Sequence, residues 1–219
     1  MNKQEIKEFI AKRVAKEFKD GDIVNLGIGL PTLVANYVPE DVMVTFQAEN
    51  GYTGAGPAPK EGEESPYISN AGGMPASVLP HGAFFGSDVS FGLIRGGHLD
   101  FTVLGALQVD AKANLANYMI PGKLVPGMGG AMDLVSGAKQ VIIAMEHTQK
   151  GAPKILEECT LPLTGANVVD LIITEMAVMK PAEEGMILVE KNPEVSIEEI
   201  EEMTACKLII PHTVKDMEI

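Results

Sequence analysis

Apolar positions follow a helical pattern at the start of the chain and a strand pattern directly after it. Residues 3–19 place Ile6, Ile10 and Val14 at helical spacing with lysines on the opposite face, which predicts an amphipathic helix. An apolar run over 22–29 then ends in glycines and is followed by Pro31. This order predicts a strand, a tight turn and a short helix over 31–37.

The same alternation of strands and helices continues to the end of the chain. Further strands are predicted at 42–48, 99–107, 140–145, 168–174, 186–189 and 207–210. Helices are predicted at 88–95, 131–136, 154–158 and 196–205. Residues 50–76 and 110–130 are predicted as long loops, with short sheet or loop pieces at 77–79 and 83–85. We therefore expect an α/β fold, a mostly parallel open sheet with helices on both faces, in a single domain over 1–219.

Composition limits the classes of function. Of the 219 residues, 46% are hydrophobic, and the net charge is −13 with an isoelectric point near 4.7. Nucleic acids and acidic membranes are poor partners for such a chain because both need a basic face. The sequence has no signal peptide core and no long apolar run, and its two cysteines, Cys159 and Cys206, form no CxxC pair. These features predict a cytoplasmic protein without a membrane span or a disulfide framework.

Basic residues are scarce in the first half of the chain. Between Asp20 and Ala111 the basic residues are Lys60 and Arg95 alone. An anionic ligand bound in this part would have to rely on backbone N–H groups, on distant lysines or on a partner chain.

Two glycine clusters precede predicted helices. Gly27 and Gly29 follow the strand over 22–29, and Gly129 and Gly130 precede the helix over 131–136. Such turns let a backbone approach a phosphate or a carbonyl closely, and helix N-termini attract anions. Neither cluster completes a dinucleotide fingerprint, so glycine content alone favours ordinary tight turns.

The histidines offer little chemistry by spacing. None of them lies at HExxH spacing or beside a cysteine, so no metal site is expected. Glu146 and His147 at a predicted strand end could form an acid–base pair, although a hydrogen-bonded loop histidine is the favoured interpretation.

Glu49, Asn50 and Gly51 directly follow the predicted strand over 42–48. Loops at the carboxyl ends of parallel strands form the binding crevice of open α/β sheets. A carboxylate there can act as a nucleophile or as a general base. Spacing alone still favours a polar turn.

Longer motifs over the whole chain resemble those of the β subunits of family I CoA-transferases. The first are Asn25-Leu-Gly-Ile-Gly-Leu-Pro31, Gln47-Ala-Glu-Asn-Gly51 with Gly54-x-Gly56-Pro57, Asn70-Ala-Gly72, Leu93-Ile-Arg-Gly-Gly-His98 and Leu104-Gly-Ala-Leu-Gln-Val109. Those in the second half are Leu115-Ala-Asn-Tyr-Met-Ile-Pro-Gly-Lys123, Gly127-Met-Gly-Gly-Ala-Met-Asp-Leu134, Met145-Glu-His147 and Cys159-Thr-Leu-Pro-Leu-Thr164. Together they are specific, and they resemble the members that act on 3-oxo acids and short-chain acids.

The resemblance implies a partner and a reaction. It implies a separate α subunit of similar fold, commonly in an α2β2 heterotetramer. It also implies ping-pong transfer of CoA from an acyl-CoA to a free carboxylic acid such as acetate, butyrate or acetoacetate, with CoA as substrate and no further cofactor. Glu49 occupies the position of the nucleophile that forms a glutamyl-CoA thioester. A glutamate is ionised at neutral pH, so it needs no histidine to activate it.

The resemblance also implies roles for several glycines and asparagines. Gly130, with Gly129 beside it, would stabilise an oxyanion through backbone N–H groups. The residues expected near CoA are Asn25, Gly27, Gly29, Asn50 and Gly51, the last two also shaping the turn beside the nucleophile.

The chain departs from the family pattern at two positions. Ala48 stands where the family usually has serine, and Gly73 stands where some relatives have a lysine able to contact the CoA phosphates. Phosphate binding then falls to the α subunit, to Lys123 or to backbone amides. The acidic run over 61–64 is predicted as a solvated loop tip. The scarcity of cations near Glu49 favours acids with a single carboxylate.

Two alternatives stay open from the residues. One is a non-catalytic or regulatory subunit on the same fold, which the intact Glu49-Asn50-Gly51 motif disfavours only weakly. The other is an oxidoreductase with a nucleotide cofactor, which would need the dinucleotide fingerprint that the sequence lacks.

Overall fold

The structure is a computed structural model that describes residues 1–123 and 127–219. The helices are α1 (Lys3–Ala15), α2 (Ser87–Arg95), α3 (Ala131–Gly137) and α4 (Ile197–Glu202), with a 3-10 helix over Leu30–Tyr37. The strands of the first half are β1 (Ile23–Leu26), β2 (Thr45–Ala48), β3 (Tyr52–Ala55), β4 (Val78–Phe84), β5 (Phe101–Leu104), β6 (Gln108–Asp110) and β7 (Leu115–Ala116). Those of the second half are β8 (Gln140–Ala144), β9 (Thr148–Gln149), β10 (Ala152–Pro153), β11 (Ile155–Leu156), β12 (Leu171–Ile173), β13 (Ala177–Ala182), β14 (Gly185–Lys191), β15 (Leu208–Ile209) and β16 (Lys215–Asp216).

A mixed sheet with a parallel centre dominates the described residues. Its strand order is β15-β14-β13-β12-β8-β5-β1-β2-β3-β4, with β16 also paired to β14. Strands β12, β8, β5, β1 and β2 run parallel to one another, so their carboxyl ends share one edge of the sheet. On one side, β3 and β4 continue from β2 as an antiparallel meander. On the other side, β13 and β14 add antiparallel strands next to β12.

Helices cover both faces of this sheet because its central strands are apolar on both sides. Along β8, Val141 and Ile143 belong to the core under α2, α3 and α4, whereas Ile142 and Ala144 belong to the core under α1. Successive strand residues point to opposite faces, so a continuous apolar strand feeds two cores. The predicted α/β class, with a mostly parallel sheet and helices on both faces, is confirmed.

Helix α1 is anchored at both ends by polar contacts. Asn2 forms a capping box with Glu5 at the N-terminus. Near its C-terminus, the Arg13 guanidinium donates to both carboxylate oxygens of Glu190 on β14, at 2.7 and 2.8 Å, and to Glu17 at 2.6 Å.

Several predicted elements are wrong. Residues 154–158 are not a helix, because Ile155–Leu156 pairs as a parallel strand with β6. The predicted loop over 50–76 contains β3, the loop over 110–130 contains β7, and strand β13 was not predicted. Residues 124–126 of that second loop lie outside the described residues. The two short pieces at 77–79 and 83–85 belong to one strand, β4.

Candidate active site

Glu49 lies at the carboxyl end of β2, in the turn that leads into β3. The Gly51 N–H donates to the Ala48 carbonyl at 3.0 Å and closes this turn around Glu49 and Asn50. Gly51 has φ +126°, and a Cβ there would collide with the Phe85 carbonyl. Glycine is therefore required at this position by conformation and by space, and the resulting tight turn leaves the Glu49 side chain half-buried.

The Glu49 carboxylate faces the turn that precedes α3. The Gly130 N–H donates to Oε1 of Glu49 at 3.3 Å. A Cβ on Gly130 would collide with Oε2 of Glu49 and lie 3.1 Å from Cζ of Phe91. Gly129 has φ +56° and supplies the left-handed turn that presents the next N–H. Residues 81 positions apart in sequence thus meet at one carboxylate.

A buried row of polar side chains lies behind Glu49. Nδ2 of Asn25 on β1 donates to Oε1 of Gln47 at 2.7 Å, and Nε2 of Gln47 donates to Oγ of Ser90 at 2.8 Å. The Ser90 hydroxyl in turn donates to the Ala48 carbonyl at 3.4 Å. Asn25 and Gln47 are each 3% exposed and Ser90 is fully buried. This row ties β1, β2 and α2 together beneath the turn that carries Glu49.

The loop over 68–76 lies beside Asn50 and the turn that follows β1. The Asn50 amide donates to the Ser69 carbonyl at 2.8 Å. Oδ1 of Asn70 accepts from the N–H groups of Gly72 and Met74 at 2.9 and 3.0 Å, which folds the loop on itself. Ile28 approaches Gly72 from the β1 turn and is 71% exposed.

The structure brings together some of the predicted site residues and separates others. Glu49, Gly129 and Gly130 meet, with Asn50 and Gly51 in the adjoining turn. Of the residues expected near CoA on β1 and its turn, Asn25, Gly27 and Gly29, the last is exposed and has φ +92°.

Asn25 and Gly27 have structural contacts that the sequence did not reveal. The Asn25 side chain donates a hydrogen bond to Gln47, and the Gly27 N–H donates to the Val103 carbonyl at 2.8 Å. A contact of either residue with CoA stays a prediction.

Sequence reasoning missed Ser90 and Phe91. Both lie in the predicted helix over 88–95, where a polar residue at Ser90 shares the inward face with Ile94, four positions later. A serine on the apolar face of a helix is a detectable signal, because a buried hydroxyl needs partners.

A second group of titratable side chains lies at the carboxyl ends of β8 and β12. The ring nitrogens of His147 lie 2.9 Å from Oγ1 of Thr174 and 3.0 Å from Oγ1 of Thr204, which confirms a hydrogen-bonded histidine. Burial, with a smaller effect of Lys154, lowers the pKa of His147 to about 4. Burial also lowers the pKa of Lys154 to about 8, against the opposing charges of Glu146 and Glu175.

These groups do not suggest a metal centre. In the parts of the chain that the structure describes, no group of three or more His, Cys, Asp or Glu side chains could hold a metal ion. Among the helices of residues 1–123 and 127–219, none combines the length and apolarity needed to cross a membrane.

Comparison with known proteins identifies the family. The family model for coenzyme A transferases matches residues 7–203. The β subunit of an acetate CoA-transferase from Haemophilus influenzae is 53% identical over 214 residues, covering 97% of this chain and 96% of the relative. One subunit of a succinyl-CoA:3-ketoacid coenzyme A transferase from Helicobacter pylori is 50% identical over 200 residues, covering 91% of this chain and 96% of the relative.

Solved structures give the same fold. An acyl-CoA transferase apoenzyme from Escherichia coli O157:H7 superposes with a TM-score of 0.77 at 21% identity, covering 97% of this chain and 43% of that chain. The family model over residues 7–203 and the relatives at 50% identity or more show that the chain belongs to the coenzyme A transferase family. Within it, the chain is an enzyme subunit of the β type, as the sequence motifs predicted. The alternative of a nucleotide-dependent oxidoreductase is set aside.

Proposed function

We propose that this subunit transfers CoA between a short-chain acyl-CoA or 3-oxoacyl-CoA and a free carboxylic acid through a glutamyl-CoA thioester on Glu49. The observation that carries the proposal is the Glu49 carboxylate at a parallel strand end, with Oε1 3.3 Å from the Gly130 N–H. The names of the relatives, an acetate CoA-transferase and a succinyl-CoA:3-ketoacid CoA-transferase, support the substrate class.

The first half-reaction loads CoA onto the enzyme. A Glu49 oxygen attacks the thioester carbonyl of the acyl-CoA, the C–S bond breaks, and CoA leaves as thiolate with a mixed acyl–glutamyl anhydride left behind. The thiolate then attacks Cδ of Glu49. The bond from Cδ to the bridging oxygen breaks, the first acid leaves as a carboxylate, and a γ-glutamyl-CoA thioester remains.

The second half-reaction reverses these steps with the second acid. Its carboxylate attacks Cδ of Glu49 and displaces CoA thiolate, which gives a new mixed anhydride. The thiolate then attacks the acyl carbonyl of this anhydride. The new acyl-CoA leaves and the Glu49 carboxylate is restored, so electrons and protons balance without an external acid or base.

The position of Gly130 suggests which intermediates it stabilises. Its N–H points at an oxygen of Glu49 itself. When thiolate or carboxylate attacks Cδ, that oxygen becomes the oxyanion, and the hydrogen bond shortens as negative charge collects there. One such donor is typically worth about 2.7–4 kcal/mol in the transition state. Gly129 supports this role by holding the turn in the left-handed conformation.

A weak carboxylate nucleophile depends on alignment. Good alignment can lower a barrier by roughly 7–11 kcal/mol, and the long CoA tail offers remote contacts that can drive it. The predicted contacts of Asn25, Gly27, Gly29, Asn50 and Gly51 with CoA belong to this alignment. Exposed Lys123 or backbone amides are candidates for the CoA phosphates.

The proposed active enzyme is a complex of this chain with a partner chain. Relatives named as β subunits support a complex with an α subunit, and we propose an α2β2 heterotetramer. Three large apolar side chains on the segments around the Glu49 turn are exposed, Ile28 (71%), Met74 (63%) and Phe84 (63%). Exposed apolar side chains of this kind fit a surface that a second chain covers. Basic residues of the α subunit would also supply the charge that this half of the chain lacks.

Substitution of Glu49 tests the proposal. In the complex with the α subunit, Glu49→Gln keeps the size of the side chain but removes the nucleophile, so CoA exchange between acetyl-CoA and acetoacetate should fall at least about 1,000-fold, of the order expected when a covalent route is lost. Glu61→Gln, in the exposed acidic run, is the matched control and should keep full activity. Retained exchange in Glu49→Gln, with an intact complex, would overturn the proposal and favour a non-catalytic role for this subunit.

A further inference from the structure

Ser90 connects the nucleophile turn to helix α2 from a fully buried position. Its hydroxyl accepts from Nε2 of Gln47 at 2.8 Å and donates to the Ala48 carbonyl at 3.4 Å. Ala48 immediately precedes Glu49, and its carbonyl also accepts the Gly51 N–H that closes the turn. One of the two hydrogen bonds of Ser90 therefore ends on the peptide group that leads into Glu49.

The direction of the hydrogen bonds restricts what can replace Ser90. Gln47 is fixed from the other side, because its Oε1 accepts from Asn25 at 2.7 Å. Its Nε2 must then donate toward α2, and the Ala48 carbonyl can only accept. The group between them has to accept one hydrogen bond and donate another, which a hydroxyl does and a methyl group does not.

The same helix also lies against the turn that holds the Gly130 donor. Phe91, the neighbour of Ser90, lies so close to Gly130 that a Cβ there would come within 3.1 Å of its Cζ. The segment entering α2 is also fixed to the turn, since the Phe85 N–H donates to the Gly51 carbonyl at 2.9 Å. Helix α2 and the segment that leads into it thus contact both the turn that carries Glu49 and the turn that carries the Gly130 donor.

We infer that Ser90 is a positioning residue for CoA transfer, which holds the Glu49 carboxylate in line with the Gly130 N–H through Gln47 and the Ala48 carbonyl. The inference rests on the proposed role of Glu49 as nucleophile. It differs from a purely structural role because the hydroxyl contacts the carbonyl that directly precedes the nucleophile, and not the apolar core. Loss of the hydroxyl should release the turn while the core that surrounds it stays intact.

Ser90→Ala in the complex with the α subunit tests this inference by separating rate from stability. Misplacement of a reacting group by about 1 Å can cost on the order of 100-fold in rate, so kcat is expected to fall roughly 10–100-fold with KM for acyl-CoA within about threefold. Ser90→Thr retains the hydroxyl and should recover most of kcat. Ser87→Ala removes an exposed hydroxyl from the same helix and should leave kcat unchanged.

The outcomes distinguish failure of this inference from failure of the proposed function. Wild-type complex incubated with acetoacetyl-CoA reports the thioester on Glu49 independently of Ser90. If that adduct forms but folded Ser90→Ala keeps wild-type kcat, or loses only unfolding stability, the positioning role is wrong while the proposed function stands. If no adduct forms on Glu49, both fail.

A near-isosteric variant keeps the test decisive if Ser90→Ala does not assemble. Ser90→Cys offers only a weak donor and a weak acceptor. Its kcat should lie well below that of Ser90→Thr at equal KM. A Ser90→Cys complex as fast as wild type would overturn the inference.

Discussion

Replacing Gly130 by alanine should disable the Glu49 carboxylate while leaving the fold and the hydrogen-bond donor in place. Gly130 has φ −82° and ψ 8°, a turn conformation with negative φ that is open to alanine. The added Cβ, however, would lie 3.0 Å from Cδ of Glu49 and would collide with Oε2. The flexible carboxylate must then move away, because the alternative is displacement of the packed helix.

The magnitude follows from the distance that the carboxylate must withdraw. Recovering an ordinary contact requires a shift approaching about 1 Å, and misplacement of a reacting group by that distance can cost on the order of 100-fold in rate. A loss of about 100-fold corresponds to about 2.7 kcal/mol in the activation free energy. Since the backbone N–H is retained, the loss measures the position of the carboxylate and not the absence of the donor.

Two further glycine variants serve as matched controls. A Cβ on Gly129 would lie 3.4 Å from Oε1, an ordinary contact, but at φ +56° alanine costs about 1–2 kcal/mol of stability. Gly92, in the middle of α2, has no heavy atom within 4 Å of an added Cβ. Gly92→Ala should therefore keep activity and gain about 0.5–1 kcal/mol of stability.

The assay combines steady-state CoA exchange with urea unfolding of each complex. Gly130→Ala should lose little unfolding free energy, because the end of the Phe91 ring has to shift by only a few tenths of an ångström, and its kcat should fall about 100-fold. Gly129→Ala should show the larger loss of stability and the smaller loss of kcat. A folded Gly130→Ala complex with more than half of the wild-type kcat would refute the argument that the carboxylate must stand against Gly130.

Two predictions concern stability away from the site. Burial, with a smaller effect of Lys154, lowers the pKa of His147 from 6.5 to about 4. Between these pH values the unfolded state binds a proton that the folded state does not. The contribution of His147 to the unfolding free energy should therefore be complete above pH 6.5 and should fall toward pH 4 by up to about 1.4 kcal/mol per pH unit. Urea unfolding should show that the unfolding free energy of His147→Gln depends less on pH across this range than that of the wild type. The same pH dependence in both proteins would contradict the assignment to His147. Arg13→Met leaves the Glu190 carboxylate without its guanidinium and should cost about 3–5 kcal/mol of stability. Calorimetry should show that the double variant Arg13→Met/Glu190→Leu regains much of the lost stability. An unchanged unfolding temperature in Arg13→Met would show that the ion pair does not stabilise the protein.

The central fold was predictable because its signals are local and strong. The apolar strands over 140–145 and 168–174 indicated burial on both faces, and the helix over 3–19 had a clear polar side. The errors fall where tertiary pairing overrides local pattern. Ile155–Leu156 becomes a strand because β6 offers a partner, and Tyr52–Ala55 becomes a strand because the Glu49 turn folds the chain back on β2.

The site was predictable only in part for a similar reason. Family motifs predicted Glu49 and Gly130 as site residues, but the contact between them depends on two turns 81 residues apart. The role proposed for Ser90 depends on which face of α2 meets Gln47, and that orientation is set by packing. The same packing leaves Asn25 with an internal partner, which its position in a glycine-turn motif did not indicate.

Detection of the covalent intermediate tests the central claim most directly. The complex of this chain with its α subunit is incubated with acetoacetyl-CoA in the absence of a second acid, digested under mild conditions and analysed by mass spectrometry. A CoA-derived adduct should appear on the peptide that contains Glu49 and should disappear on addition of acetate. An active complex whose adduct maps to any other residue, or that forms no adduct, would contradict the account.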